Sequence, residues 1–174
     1  AKEKGIKVVF LPDRFAPKFE ADRDKLVQVV VNLISNAIKY CEADKGEIQI
    51  ATHYVEGAIY TSIQDNGVGI AKEFQRLIFD KFFQAEDQTI KKPKGSGLGL
   101  AISKSYVEVL GGTIWVESEL GKGTCAGFQI PVKLVGRATA QSISTQNPES
   151  ELPLNNLTLL LVEDDPVVAK INAI

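Results

Sequence analysis

The stretch Asn32-Leu33-Ile34-Ser35-Asn36-Ala37-Ile38-Lys39-Tyr40 decides how this chain is read. Asn32 and Asn36 stand four residues apart, so on a helix their carboxamides share a face one turn apart. Leu26, Val29, Val30, Leu33, Ile34 and Ala37 recur at helical spacing and make one apolar face of the same segment. At about 100° per residue, Lys39 and Tyr40 extend the polar stripe along the edge of that face. Each carboxamide offers an oxygen to a hard cation, and Mg²⁺ prefers such oxygens, phosphate and water. Lys39 supplies charge toward phosphates, and Tyr40 a surface for a purine. Paired Asn residues can also bond backbone groups at a helix edge, so the segment alone leaves both readings open.

Working outward, Asp22 to Asp24 precede the helix, and Val8 to Leu11 form an apolar run that ends at Pro12 and reads as a first strand. Downstream, Glu47 to Thr52 and Ala58 to Ile63 alternate around the turn-like Glu56-Gly57 and predict an antiparallel pair. Ala71 to Phe79 is expected to be helical, and Gln84 to Lys94 a polar loop. Leu98 to Leu110 predicts a second long helix, stopped by Gly111-Gly112. Thr113 to Glu117 and Cys125 to Val132 complete the strands around a Gly121-Lys122-Gly123 turn. Helices and antiparallel strands mix without strict alternation, which favours an α+β sandwich with the helices on one sheet face.

Two further segments carry chemistry. Asp65 follows an alternating strand and precedes Asn66-Gly67-Val68-Gly69. A carboxylate at a strand end can accept a hydrogen bond from the exocyclic amine of adenine, and the glycines permit close approach of backbone to a ligand. Asp-Asn-Gly is also a common turn. Gly95-Ser96-Gly97-Leu98-Gly99-Leu100 opens the second long helix, where backbone amides and the absence of side chains favour a phosphate. It is no dinucleotide fingerprint, because no strand immediately precedes it and its third glycine comes too early. Lys91, Lys92 and Lys94 lie just before it, in a loop that can equally be merely solvated.

Together, and in this order, the three segments resemble the N, G1 and G2 boxes of the histidine-kinase catalytic domain, a member of the gyrase, Hsp90, kinase and MutL superfamily. Phe79-Asp80-Lys81-Phe82-Phe83 resembles its F box, whose aromatics couple lid and core. Gly121-Lys122-Gly123-Thr124 resembles its final glycine-threonine turn. The resemblance spans roughly residues 1 to 134 and implies the Bergerat fold, a two-layer α/β sandwich with a mixed, mostly antiparallel sheet. It implies ATP and Mg²⁺ as ligands. Asn36 with Asn32 would hold the metal, and Lys39, lid lysines including Lys94, and the amides from Gly97 onward the phosphates. Tyr40, Asp65, Gly67, Gly69, Ile70, Phe79 and Thr124 would line the nucleotide, as would Gly95, Ser96, Leu98, Gly99 and Leu100 of the lid hinge. Cys125-Ala126-Gly127 departs from the polar and aromatic residues common after the threonine, which puts the adenine contacts there in doubt.

The superfamily's ATPases resemble one another in a Glu where this chain has Asn32, and a neutral carboxamide cannot take a proton from an attacking water. The expectation is therefore phosphoryl transfer to a histidine on a separate dimerization domain rather than hydrolysis. His53, the one histidine, lies in a strand-like segment and lacks the neighbours of an acceptor box. Residues 135–156 read as a linker rich in Ser, Thr, Gln, Asn and Pro. Leu157 to Val162, followed by Glu163-Asp164-Asp165-Pro166, resembles the start of a response-regulator receiver domain over 157–174. That implies a hybrid parent, with its own or a separate receiver as partner.

Composition fits this picture. The chain has 174 residues, 44% of them apolar, enough for one ordinary folded domain plus an appendage. A net charge of −2 gives no general reason to expect nucleic acid or an anionic membrane as partner. No apolar run approaches the roughly 20 residues that cross a bilayer. Cys41 and Cys125 are expected to be reduced thiols in a cytoplasmic protein. The absence of Met suggests a piece of something longer.

Overall fold

The computed structural model describes residues 1, 4–13, 18–84 and 96–135. The elements in chain order are β1 (Lys7–Leu11), β2 (Phe19–Glu20), α1 (Arg23–Tyr40), β3 (Glu47–Val55), β4 (Ala58–Asp65), α2 (Gly99–Val109), β5 (Thr113–Glu119), β6 (Gly123–Pro131) and β7 (Lys133–Leu134). Helix α1 begins where Asp22 caps it: the carboxylate accepts from the Lys25 amide at 3.1 Å, and Asp24 adds a second acid to the first turn. Its far end is closed by Lys4, whose ammonium donates to the carbonyls of Ile38 and Lys39 at 2.9 and 3.2 Å. Val29, Leu33 and Ala37 recur every fourth residue and are buried.

Five strands form one sheet in the order β1-β3-β4-β6-β5, with β2 and β7 paired separately. The β1–β3 pair is parallel and the other pairs are antiparallel. Alternation decides the faces. Along β4, Ile59, Thr61, Ile63 and Asp65 are buried while Tyr60 and Gln64 are exposed. The buried row meets Val29 and Leu33 of α1, Val107 of α2, and Ile48, Phe128 and Ile130 of the neighbouring strands. Each of these side chains contributes about 1.5–3 kcal/mol when fully buried. The result is the expected two-layer α+β sandwich, with both long helices on one face of a mixed, mostly antiparallel sheet. On the opposite face Trp115 lies across Gly127, where a Cβ would come within 2.6 Å of the indole ring.

Three expectations change. The helix predicted over Ala71–Phe79 does not form: residues 72–76 make turns and only Leu77–Phe79 is a 3-10 turn. The amides of Phe74 and Leu77 donate three residues back, to Ala71 and Phe74, both at 2.9 Å. The Gln75 carboxamide meanwhile donates to the carbonyls of Ile70 and Ser118 at 3.0 and 2.7 Å, and so short a segment follows those tertiary bonds rather than its own period. Secondly, the strands run further than predicted, so that Asp65 closes β4 and Thr124 lies inside β6. Thirdly, the two-residue β2–β7 pair carries no detectable period in the sequence. Lys91, Lys92, Lys94, Gly95, the linker from 136 onward and the receiver-like segment lie outside the described residues.

Candidate functional site

A cavity of about 570 Å³ opens between α1, the inner face of the sheet, the 68–84 segment and the first turn of α2. One end is built by the sheet. Asp65 pairs with Thr124 across β4–β6, and Thr124 with Ser118 across β6–β5, so three polar residues form a row on the cavity side. Asp65 is 8% exposed, and its Oδ1 accepts from the amides of Gly67 at 2.9 Å and Thr124 at 3.3 Å. Its Oδ2 has no hydrogen bond among the described residues. Burial pushes the Asp65 carboxyl above the ordinary carboxylate range, and the two amide bonds pull it part of the way back. Ser118 Oγ accepts from the Ile70 amide at 2.8 Å, donates to the Gly123 carbonyl at 2.8 Å, and lies 2.9 Å from Thr124 Oγ1.

Thr124 and Ala126 line the cavity, whereas Cys125 and Gly127, one step out of phase, sit on the opposite face of β6. Of the three positions that depart from the family pattern, Cys125 and Gly127 do not reach the cavity and Ala126 does. Both cysteines are free thiols, as expected, and burial raises the pKa of each.

The other end is built by helices. Asn32 donates from Nδ2 to Ser103 Oγ at 2.8 Å, and its Oδ1 lies against Gly99, where any Cβ would collide with it. Asn32 thus ties α1 to the first turn of α2. Asn36, one turn further on, lines the cavity and has no hydrogen bond among the described residues. Lys39 also lines it, with its ammonium 5.0 Å from the centroid of the Tyr40 ring and no ion pair among the described residues. Helix α2 starts without a side-chain cap, so its first-turn amides keep their capacity for an anion. No group of three His, Cys, Asp or Glu side chains suited to a metal occurs among the described residues. The oxygen donors on offer are carboxamides, which suit a magnesium ion held mainly by phosphate and water.

The glycines serve the protein's own backbone at close quarters. Gly69 has φ +72° and packs on the Glu119 carbonyl, and Gly97 has φ +70° and packs on the backbone of Phe82, whose amide donates to the Gly97 carbonyl at 2.9 Å. Gly67 sits against the Tyr40 carbonyl, 2.5 Å from where its Cβ would stand, and is not itself a lining residue. Tyr40, Gly69, Ile70, Phe79, Ser96, Gly97, Gly99 and Leu100 do line the cavity, and Leu98 does not. Lys94 and Gly95 lie outside the described residues, and His53 is exposed on β3.

Residues 21–134 match the family described as histidine kinase-, DNA gyrase B- and HSP90-like ATPases. The chain belongs to this family. Within it the likeness is to sensor histidine kinases. The domain is 42% identical over 124 residues to the sensor histidine kinase WalK of Bacillus subtilis, covering 71% of this chain and 20% of that protein. It is 36% identical over 170 residues to the autoinducer 2 sensor kinase/phosphatase LuxQ of Vibrio cholerae, covering 94% of this chain and 20% of that one. The chain thus spans about a fifth of the length of these curated relatives. Among solved structures, full-length ShkA in complex with AMPPNP superposes with a TM-score of 0.70 at 29% identity, over 79% of this chain and 28% of that one. Histidine kinase ThkA in complex with the response regulator protein TrrA gives 0.62 at 29% identity, over 76% and 36%.

Three residues of this histidine-kinase catalytic domain escaped the sequence reading: Ser103, Ser118 and Gln75. Two left a signal. Ser118 is in phase with Ile114 and Val116 on the inner face of β5, and Ser103, 1% exposed, is in phase with Val107 on α2. A hydroxyl in the buried phase of an element must find a partner, and both find one at the cavity. Gln75 left none.

Proposed function

We propose that this chain is the catalytic part of a hybrid sensor kinase: it holds Mg·ATP in the cavity and passes the γ-phosphoryl group to a histidine of a separate dimerization domain. The observation that carries this reading is the state of Asn32. Its N–H is committed to Ser103 and its oxygen is packed on Gly99, where a hydrolase would need a carboxylate to activate water. Asp65 is the single carboxylate among the described lining residues, and it belongs to the sheet end, away from the helix contacts of Asn32. The anhydride would then stay intact until an acceptor docks.

The residues divide the work. Asp65 and Thr124 face the base, with Tyr40 and Ile70 beside it. Lys39 and the first-turn amides of α2 would neutralise phosphate charge, and Asn36, with the Asn32 oxygen, would hold the magnesium ion. Magnesium held there would supply charge neutralisation at the phosphates. The acceptor imidazole comes from another domain, because His53 sits on the sheet. Residues 135–156 would link this domain to a receiver beginning at 157, a division supported by the similarity to LuxQ running over 94% of the chain. The receiver partner accords with the solved complex of ThkA with its response regulator. The whole would work on the cytoplasmic side.

The test uses γ-labelled ATP and Mg²⁺ with this chain, alone and mixed with the acceptor-histidine domain of its parent. Acid-labile label on that domain with little free phosphate is expected. Rapid release of phosphate by the chain alone would overturn the kinase reading in favour of an ATPase.

A further inference from the structure

The sheet end of the cavity holds a hydrogen-bond chain whose direction can be worked out atom by atom. Ser118 Oγ has three partners and one hydrogen. The Gly123 carbonyl can only accept, so the Ser118 hydrogen goes to it, at 2.8 Å. The Ile70 amide can only donate, so it occupies one Ser118 lone pair, also at 2.8 Å. The remaining contact, 2.9 Å to Thr124 Oγ1, can be a hydrogen bond only if Thr124 supplies the hydrogen. Thr124 then turns lone pairs alone toward the cavity. Beside it, Asp65 Oδ1 is filled by two amides and the free Oδ2 of an ionised carboxylate also only accepts.

We infer that Ser118, which does not line the cavity, fixes the Thr124 hydroxyl as an acceptor and so makes this end of the site select a 6-amino over a 6-oxo purine. Ser118 is a positioning residue: it acts on the base through Thr124. The inference rests on the nucleotide reading above and sharpens it. A purine with an amine at position 6 donates to these oxygens, directly or through water. A 6-oxo purine carries its one edge hydrogen on N1 and presents a carbonyl at position 6, which meets the Asp65 and Thr124 lone pairs there with lone pairs. Removing Ser118 frees the Thr124 hydrogen to rotate toward the cavity, and the hydroxyl regains both roles.

The experiment is calorimetric titration of the full chain, wild type and Ser118→Ala, with Mg·ATP and Mg·ITP; the inosine base changes position 6 without adding the 2-amino group of guanine. Wild type is expected to prefer ATP by roughly 100-fold, and Ser118→Ala by less than about 10-fold, chiefly through tighter ITP binding. In the Thr124→Val background the serine substitution should leave the ratio unmoved, since the relay has lost its output. Equal weakening of both nucleotides by Ser118→Ala would mark a structural role and overturn the inference while the nucleotide reading stands. Wild type that binds neither nucleotide would overturn both. Should Ser118→Ala not fold, proton spectra of wild type decide: a Thr124 hydroxyl proton with cross-peaks to the Ser118 β-protons supports the relay. Cross-peaks to bound nucleotide instead would sink it.

Discussion

The two ends of the cavity are made differently. At the sheet end the Asp65 Oδ1, the Ser118 hydroxyl and the Thr124 hydroxyl are already bonded within the protein, through Gly67, Ile70 and Gly123 and to one another, which leaves Asp65 Oδ2 and the Thr124 lone pairs. At the helix end Asn36 and Lys39 stand without hydrogen-bond or ion-pair partners among the described side chains, and α2 begins uncapped. On the proposed reading the sheet end takes the base, and its bonds are in place without a ligand, so discrimination there would cost little rearrangement. The phosphate end presents charge and donors that a ligand must complete. On the proposed reading, a domain that holds ATP without spending it would benefit from that split: the base would meet bonds already made, and the reacting end would become whole with metal and acceptor in place.

The sharpest break in this comparison should come from Asn36→Ala. Phosphotransfer is expected to fall about 10²–10³-fold, because the proposed reading gives Asn36 the metal and phosphates to orient. Stability should stay within about 0.5 kcal/mol, since the carboxamide has no internal partner. Single-turnover transfer alongside a denaturant melt checks both halves. Next comes Asp65→Asn. ATP affinity should drop by about 100-fold as an acceptor facing the base becomes a donor, with unliganded stability unharmed at neutral pH. Loss of fold in that variant would mean the carboxylate is structural rather than held in reserve for a ligand.

Gly99→Ala tests the joint between the ends. Its Cβ has to displace the Asn32 carboxamide, for about 1–3 kcal/mol of stability, and transfer should fall further than ATP binding. Thermal melts with matched nucleotide titrations separate the two effects. The smallest effect is one of pH. Asp65 has a folded pKa above its ordinary 3.8. Its contribution to unliganded stability is therefore full below 3.8 and lost as pH rises through the raised value. Nucleotide affinity runs the other way over that window, because protonation puts a hydrogen on the free Oδ2 and turns its acceptor face toward donation. Melts between pH 4 and 7 with and without ATP should diverge as pH rises, and Asp65→Asn should remove the divergence.

How much of this was legible in the sequence follows the same division. Helix α1 and the apolar row Val29, Leu33, Ala37 were legible because helical spacing is a local property. The motif residues at both ends were recognisable, and the structure brings Asn32, Asn36, Lys39, Asp65, Gly97 and Thr124 around one cavity. Register was not legible. That Asp65, Thr124 and Ser118 stand side by side depends on how three strands slide against one another, which no single strand encodes. The turns of 71–79 were missed for a related reason, since the Gln75 bonds that shape them reach across to β5.

The sheet face away from the cavity carries its own practical consequence. The lone tryptophan, Trp115, lies there over Gly127, on the side of β5 and β6 away from the cavity. Its fluorescence will be nearly silent to nucleotide yet change when the strands part. The domain therefore comes with a built-in optical gauge of sheet unfolding that can be read in the presence of any ligand.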